Sequence, residues 1–200
     1  MNPMPISEIV LASGNAGKLR ELQAMLSPLN LVVRSQQDFD APAIAETGLT
    51  FIENAILKAR NAAKHTSSPA IADDSGLEVD VLNGAPGIYS ARYAGPHATD
   101  LENTQKLLLE LAGVEKQRRT ARFQCIVVYM DHPLDPTPMV CQGTWEGLIA
   151  DHPRGNNGFG YDPVFYVAEY GCTAAELDAD TKNRVSHRGQ ALAQLVKQLS

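Results

Sequence analysis

The sequence predicts an α/β protein. Three observations carry that prediction. An apolar segment at Glu8–Ala12 runs into a glycine-containing loop and then into helical spacing. A helix opened at Thr50 feeds a second apolar segment at Ala70–Ala72. After another amphipathic helix come two long strand-like segments, Thr120–Met130 and Met139–Ile149. Two hundred residues make one domain, 1–200, large enough to bury a substantial core. At 44% hydrophobic and 20% charged, the composition is that of an ordinary globular chain. No apolar run reaches about 18 residues, the length a membrane-spanning helix needs. The first five residues, Met-Asn-Pro-Met-Pro, have neither the basic nor the apolar part of a signal peptide. Cys125, Cys141 and Cys172 are odd in number, far apart and without a CxxC pair, which argues for reduced thiols in a cytoplasmic protein. The net charge of −6 argues against nucleic acid as a partner, since a duplex demands a basic footprint.

The first strand, Glu8–Ala12, leads into Ser13-Gly-Asn-Ala-Gly-Lys18, after which Leu19, Leu22, Met25 and Leu26 have helical spacing. Strand, glycine-containing loop and helix together aim backbone N–H groups at an anion, and Lys18 adds a positive charge there. The loop fails the P-loop test: two residues rather than four separate Gly14 from Gly17, and Leu19 follows the lysine. A plain βα turn is the competing reading. Leu29–Arg34 gives a second strand, and a polar loop follows through Pro42. Thr50-Phe-Ile-Glu53 has the form of a capping box. Its helix carries Phe51, Ala55, Ala59 and Ala62 on one face, and Asn54 and Lys58 share another. With Glu46 just ahead of the cap, a carboxylate, an amide and an ammonium can converge at the helix entrance. Taken singly, each suits a solvated surface.

Ala70–Ala72 suits a buried strand. Asp73, Asp74, Ser75 and Gly76 are turn formers, and the alternation of Leu77, Val79 and Val81 restarts a strand, so a sharp turn carrying two acids and a hydroxyl is expected. Thr99-Asp-Leu-Glu102 is a second capping box, opening a helix whose apolar face is Leu101, Leu108 and Leu111. Lys116–Arg119 reads as a solvated basic loop, and the Pro-rich Asp131–Pro138 piece suggests a hairpin. In Arg154-Gly-Asn-Asn-Gly-Phe-Gly-Tyr-Asp-Pro163 the glycines let backbone approach a ligand, while Phe159 and Tyr161 offer flat faces for a heterocycle. A structural bulge is the alternative there. Ser186 is placed to cap the last helix, whose Leu192, Leu195, Val196 and Leu199 face the core. His187 and Arg188 in its first turn suggest an anion or a carbonyl oxygen nearby, because cations are disfavoured at that end.

These pieces divide the labour of binding a nucleoside triphosphate. Lys18 and Lys58 suit phosphates, and Glu46 and Asp74 are hard oxygen ligands suited to Mg²⁺. Phe159 suits stacking on a base whose edge Lys182, His187 and Arg188 read. The residues alone reach a Mg²⁺-dependent nucleotide site with no reaction specified.

The chain resembles the inosine triphosphate pyrophosphatase family. Six blocks carry the resemblance in the family's order: Ser13–Lys18, Glu46–Ala55, Ile71–Gly76, Gly84–Arg92, Phe159–Pro163 and Ser186–Gly189. Ser13 stands where many members have Thr, and Tyr161 where some have Trp. The resemblance implies hydrolysis of ITP, dITP, XTP and dXTP to the monophosphate and pyrophosphate. It also implies an elongated central mixed β-sheet flanked by helices, with two lobes and a cleft between them, in a homodimer. By that likeness Asp74 is the general base, not cleanly separable from a metal ligand, and Glu46 is the second ligand. Ser13, Gly14, Asn15, Ala16, Gly17, Lys18, Lys58 and Ser75 hold phosphates and ribose. Phe159, Gly160, Tyr161, Asp162, Lys182, His187 and Arg188 form the base pocket. A pyrophosphatase acting on other modified nucleotides is the alternative.

Overall fold

The computed structural model describes residues 8–14, 16–29 and 31–200. In chain order the strands are β1 (Glu8–Leu11), β2 (Val32–Ser35), β3 (Ala70–Val79), β4 (Thr120–Met130), β5 (Met139–Ile149), β6 (Phe165–Val167) and β7 (Cys172–Thr173). The helices are α1 (Ala16–Leu26), α2 (Phe51–Thr66), α3 (Asp100–Glu110), α4 (Ala179–Val185) and α5 (His187–Leu199). The strands form one mixed sheet in the order β2-β1-β3-β4-β5-β6-β7. β1 runs parallel to β2 and to β3, whereas β6 runs antiparallel to β5 and to β7. The expected α/β class is therefore the observed one. The chain falls into two compact units, one of residues 1–74, 125–142 and 190–200, the other of residues 75–124 and 143–189.

In the first unit β1 and β3 have a different packing surface on each face. Ile9, Leu11 and Ile71 pack with Leu22 and Leu26 of α1 and with Leu192 and Leu195 of α5. Val10, Ala70 and Ala72 pack instead with Ala55, Ala59, Ala62 and Ala63 of α2. That division follows from the two-residue period of a strand. It also corrects the expectation of a turn at Asp73–Gly76, because β3 runs unbroken from Ala70 to Val79. The turn propensity of Asp and Ser loses to tertiary partners. Asp73 continues the row of Ile71 and meets Lys18 of α1, while Asp74 continues the row of Ala72 and meets Lys58 of α2. Neighbouring aspartates thus serve opposite faces of the sheet.

The second unit is built on Leu77, Val79, Leu107, Leu111, Phe123, Trp145 and Phe165. Its helix α3 has the complete capping box expected at Thr99 and Glu102. Of the expected apolar face, Leu111 is in the core and Leu108 packs against it, but Leu101 is 62% exposed, and Asn103, Thr104 and Leu107 turn inward as well. Asn103 satisfies its burial by accepting from the Ala94 N–H and donating to the Ala91 carbonyl. Arg119 corrects the reading of a wholly solvated basic run. It is 9% exposed, and its guanidinium donates to the carbonyls of Leu111 and Val114 beyond the end of α3 and pairs with Asp151.

On the surface of this unit Asp80 accepts from Thr120 Oγ1 at 2.6 Å and from both terminal nitrogens of Arg122 at 2.7 and 3.1 Å. The hydrogen bonds from Arg122 and then Thr120 hold its carboxyl below the usual range. A depressed folded value stabilises above the unfolded value of about 4, and that contribution is lost as pH falls through the folded one. Asp80→Asn is therefore expected to lower Tm at pH 7, with the deficit closing below about pH 4. Parallel melts at several pH values check this, and a deficit that persists in acid would assign the effect to geometry. The three cysteines are thiols rather than disulfides, and two of them are buried. Among the described residues no helix is long and apolar enough to cross a membrane.

Candidate active site

In the first unit, β1 ends at Leu11 and α1 begins at Ala16, so the loop expected to meet an anion lies between a strand and a helix. Asn15 lies outside the described residues, and of Ala16 only its place in the helix is described. Ser13 is held by its carbonyl, which accepts from Ser35 Oγ at 3.1 Å. Gly14 leaves room for Gln37, whose amide nitrogen would stand 2.5 Å from an added Cβ. Gly17 lies in the first turn of α1, one residue before Lys18. From that turn Lys18 reaches across to Asp73, Nζ to Oδ2 2.8 Å.

Lys58, on the second turn of α2, bridges two carboxylates: Nζ lies 2.6 Å from Asp74 Oδ1 and 3.0 Å from Glu46 Oε1. α2 enters under control of Thr50, whose hydroxyl accepts from the Glu53 N–H, while Glu53 turns back to the Leu49 N–H. One turn on, Asn54 is 0% exposed. Its Oδ1 accepts from the Gly48 N–H at 2.8 Å, which leaves Nδ2 facing Asp74 Oδ2 at 3.5 Å. Glu46, Asn54 and Lys58 thus converge, and the amide sits in the interior rather than on a solvated surface. Beside them a cavity of about 220 Å³ is lined by Ser13, Gly14, Lys18, Glu46, Lys58 and Asp73 among others. That is smaller than the roughly 300–1,000 Å³ of a typical small-molecule site, and suits phosphate groups more than a whole nucleotide.

Three carboxylates, Glu46, Asp73 and Asp74, share two ammonium groups, which leaves one negative charge in excess. Both partners of the central pair respond. Burial pushes the Asp74 carboxyl above its usual range, with Lys58 pulling it back and Glu46 and Asp73 adding to the rise. Burial pulls Lys58 down, but Asp74, Asp73 and Glu46 together outweigh it and leave the ammonium firmly protonated. The donor set fits Mg²⁺. Glu46 and Asp74 already converge on one cation, the Lys58 ammonium, and their oxygens are hard. Among the described residues no group of three His, Cys, Asp or Glu side chains is placed to hold a metal ion. A protein contribution of one or two carboxylates is what Mg²⁺ takes when substrate phosphates complete its shell.

The second unit brings together Ser75, Phe159, Lys182 and Arg188. Lys182 Nζ lies 4.9 Å and the Arg188 guanidinium 5.5 Å from the Phe159 ring centroid, and an Arg188 nitrogen lies 3.3 Å from Ser75 Oγ. The cap of α5 is as expected, with Ser186 Oγ accepting from the Gly189 N–H. His187 is buried and stacks on Phe123, centroids 4.7 Å apart and planes 12° from parallel. Asp162 is committed within the protein: its Oδ2 accepts from the Phe159 N–H at 2.8 Å and from Lys182 Nζ at 2.5 Å. Tyr161 is a correction. It lies in the core with its hydroxyl donating to the Ser90 carbonyl at 2.8 Å, so it has no flat face to offer a base. Of the two loop aromatics, Phe159 alone is open, at 47%.

Comparison with known proteins fits this arrangement. A sequence model of the Ham1 family matches residues 9–198. The chain belongs to the Ham1 family. It is 57% identical over 190 residues to a dITP/XTP pyrophosphatase of Photobacterium profundum, covering 95% of this chain and 96% of that one. It is 57% identical over 194 residues to a dITP/XTP pyrophosphatase of Escherichia coli K12, covering 97% and 98%. A solved HAM1 protein from Coxiella burnetii superposes with a TM-score of 0.93 at 54% identity, covering 97% of this chain and 98% of that one. The mixed sheet is thus the Ham1 fold.

The sequence of this Ham1 chain carries no signal for the roles of Ser90 and Asp100. Ser90 accepts from the Leu77 N–H and donates to the Gly87 carbonyl, which ties β3 to the turn beyond it, and its own carbonyl receives Tyr161. A buried serine among Tyr, Ala and Arg has no local signature. Asp100 holds the Gly160 N–H from 60 residues away, a distance that no sequence window spans. Asn54 did have a signal, its four-residue spacing from Lys58, but nothing in that spacing revealed its burial.

Proposed function

We propose that this chain hydrolyses deaminated purine nucleoside triphosphates, ITP, dITP, XTP and dXTP, to the monophosphate and pyrophosphate. Such an activity clears them before polymerases use them. The observation that carries the reading is the 57% identity, over nearly the whole chain, to proteins named dITP/XTP pyrophosphatase. The carboxylate and lysine set of the first unit supplies chemistry to match. Mg²⁺, held by Glu46 and Asp74, would supply charge neutralisation at the phosphates and an acidified water. Asp74 orients the attacking water and accepts its proton as the water oxygen bonds the α-phosphorus. The bond from that phosphorus to the bridging oxygen then breaks and pyrophosphate departs. A carboxyl lifted by burial is a better base than an exposed one. Lys58 holds Asp74 in place through Oδ1, and Lys18 with the Ser13–Gly17 backbone meets phosphate oxygens. Ser75 contacts phosphate or ribose, Phe159 stacks on the base, and Arg188 donates to its C6 carbonyl. Lys182, His187, Asp162 and the Gly160–Tyr161 backbone complete the base site.

The selectivity has a physical basis. Hypoxanthine and xanthine carry a carbonyl at C6 where adenine carries an amino group, and a site built to donate there rejects the analogue by roughly 10⁴–10⁵. A homodimer in the cytoplasm, with a nucleotide rather than nucleic acid or membrane as partner, belongs to the same proposal, and light scattering of the purified protein tests the dimer. The deciding assay is a panel of nucleoside triphosphates with Mg²⁺, scored for pyrophosphate and phosphate separately. Release of phosphate alone would overturn the reading. Within that panel Phe159→Ala is expected to weaken ITP, XTP and GTP by similar factors, since stacking tolerates any base and is worth about 1–3 kcal/mol. Arg188→Ala should cut kcat/KM for ITP and XTP far more than for ATP. An equal loss on all nucleotides would place Arg188 on phosphate instead.

A further inference from the structure

Phe159 is half in solvent with the long Lys182 and Arg188 side chains set against its ring, so the backbone on either side carries much of its aiming. Both flanking N–H groups are held by aspartates. The Phe159 N–H donates to Asp162 Oδ2 at 2.8 Å, within the same loop. The Gly160 N–H donates to Asp100 Oδ2 at 2.7 Å, and Asp100 is the first residue of α3. Thr104, one turn along α3, places Oγ1 3.5 Å from the Gly160 carbonyl. Gly160 has φ +60° with nothing within 4 Å of an added Cβ, so neither a side chain nor a steric wall restrains its peptide. The Thr99–Glu102 capping box orders the turn that presents Asp100.

The geometry points to Asp100 as a positioning residue for base recognition, which clamps the Gly160 peptide from α3 and so aims the Phe159 ring. This rests on reading the 155–162 loop as the base site. Asp100 touches no substrate, and its effect passes through Gly160. Two variants separate the bond from the charge. Asp100→Ala removes the acceptor, whereas Asp100→Asn keeps an oxygen acceptor and loses the same negative charge from the helix N-terminus. Amide hydrogen exchange of the peptide spanning 157–162, in the nucleotide-free protein, should quicken about tenfold in Asp100→Ala, the loss of one charge-assisted bond, and by a clearly smaller factor in Asp100→Asn, whose neutral oxygen keeps a weaker one. KM for ITP should rise about tenfold in the Ala variant, with kcat at saturation nearly unchanged and with rescue in the Asn variant.

Unchanged exchange in Asp100→Ala overturns the clamp. Equal effects of Ala and Asn overturn it in favour of helix electrostatics. Faster exchange with unchanged KM, in a protein whose Phe159→Ala variant does raise KM, overturns the role in recognition. Should Phe159→Ala itself leave KM for ITP unaltered, the base-site reading fails and this role falls with it. The exchange rates then tell that failure apart from absence of the clamp.

Discussion

Asp74→Asn is expected to fold normally and to lose at least about 10² in kcat on ITP, the lower end of what a positioned general base contributes. The fold should survive because asparagine is nearly isosteric and its one oxygen can still accept from Lys58, which makes the closer contact to the carboxylate, 2.6 Å against 3.5 Å from Asn54. The strand geometry sharpens the contrast with Asp73, which lies on the opposite face of β3 and pairs with Lys18. Asp73→Asn should weaken what Lys18 holds and appear mainly in KM. Purified variants assayed at saturating ITP decide the matter. If Asp73→Asn is the inert protein and Asp74→Asn the active one, the roles of the two faces must be exchanged.

The second large effect is on stability. Lys58→Met keeps an unbranched apolar stem, one atom shorter, but strips Asp74 of its ammonium partner, in a place where both side chains are largely buried. Breaking one side of a buried pair costs about 3–5 kcal/mol, because the remaining charge loses its counter-ion and keeps only the neutral Asn54 amide at 3.5 Å. The sign follows from Asp74. Its folded value is already above the ordinary one and would rise further without Lys58. The penalty therefore begins near the unfolded value of about 4 and is complete only above the folded value, so acidification should recover stability in this variant. The double variant Lys58→Met with Asp74→Asn should regain most of the loss at neutral pH. Denaturant titrations of the three proteins test this, and a double variant as unstable as the single one would assign the loss to packing of the lysine stem.

Much of this molecule is legible in its sequence, and the failures share a cause. The helix entrances were readable because capping is local: Thr50, Thr99 and Ser186 each bond an N–H three residues on. The seating of α2 was readable because alanine at a helical period leaves no other face to bury. The continuity of β3 was not readable. Asp73-Asp74-Ser75-Gly76 has the composition of a turn, and what holds it extended is two lysines, 55 and 16 residues away, on separate helices. Tyr161 failed likewise, because its position in a glycine loop says nothing of a carbonyl 71 residues back. The gathering of Glu46, Asn54, Lys58 and Asp74 was half legible. Its spacing within α2 was visible, while the approach of strand to helix had to come from the fold.

The alanine face of α2 sets a distance. Ala55, Ala59, Ala62 and Ala63 meet Ala70 and Ala72 with no exposed surface at all. Separation between packed elements is set by the side chains between them, and interiors feel even one added methylene. These methyls are therefore spacers of fixed thickness, and Lys58 and Asn54 ride on the part they hold in place. Thickening one, as in Ala59→Val, would lift the helix and draw the ammonium and the amide away from Asp74 together. A displacement of about 1 Å in a catalytic group can cost on the order of 10² in rate. A larger side chain in this stripe then acts on turnover as well as on stability, since overpacking itself costs about 1–3 kcal/mol. The same stripe offers an adjustment of the site through side-chain volume, without altering any polar residue in it.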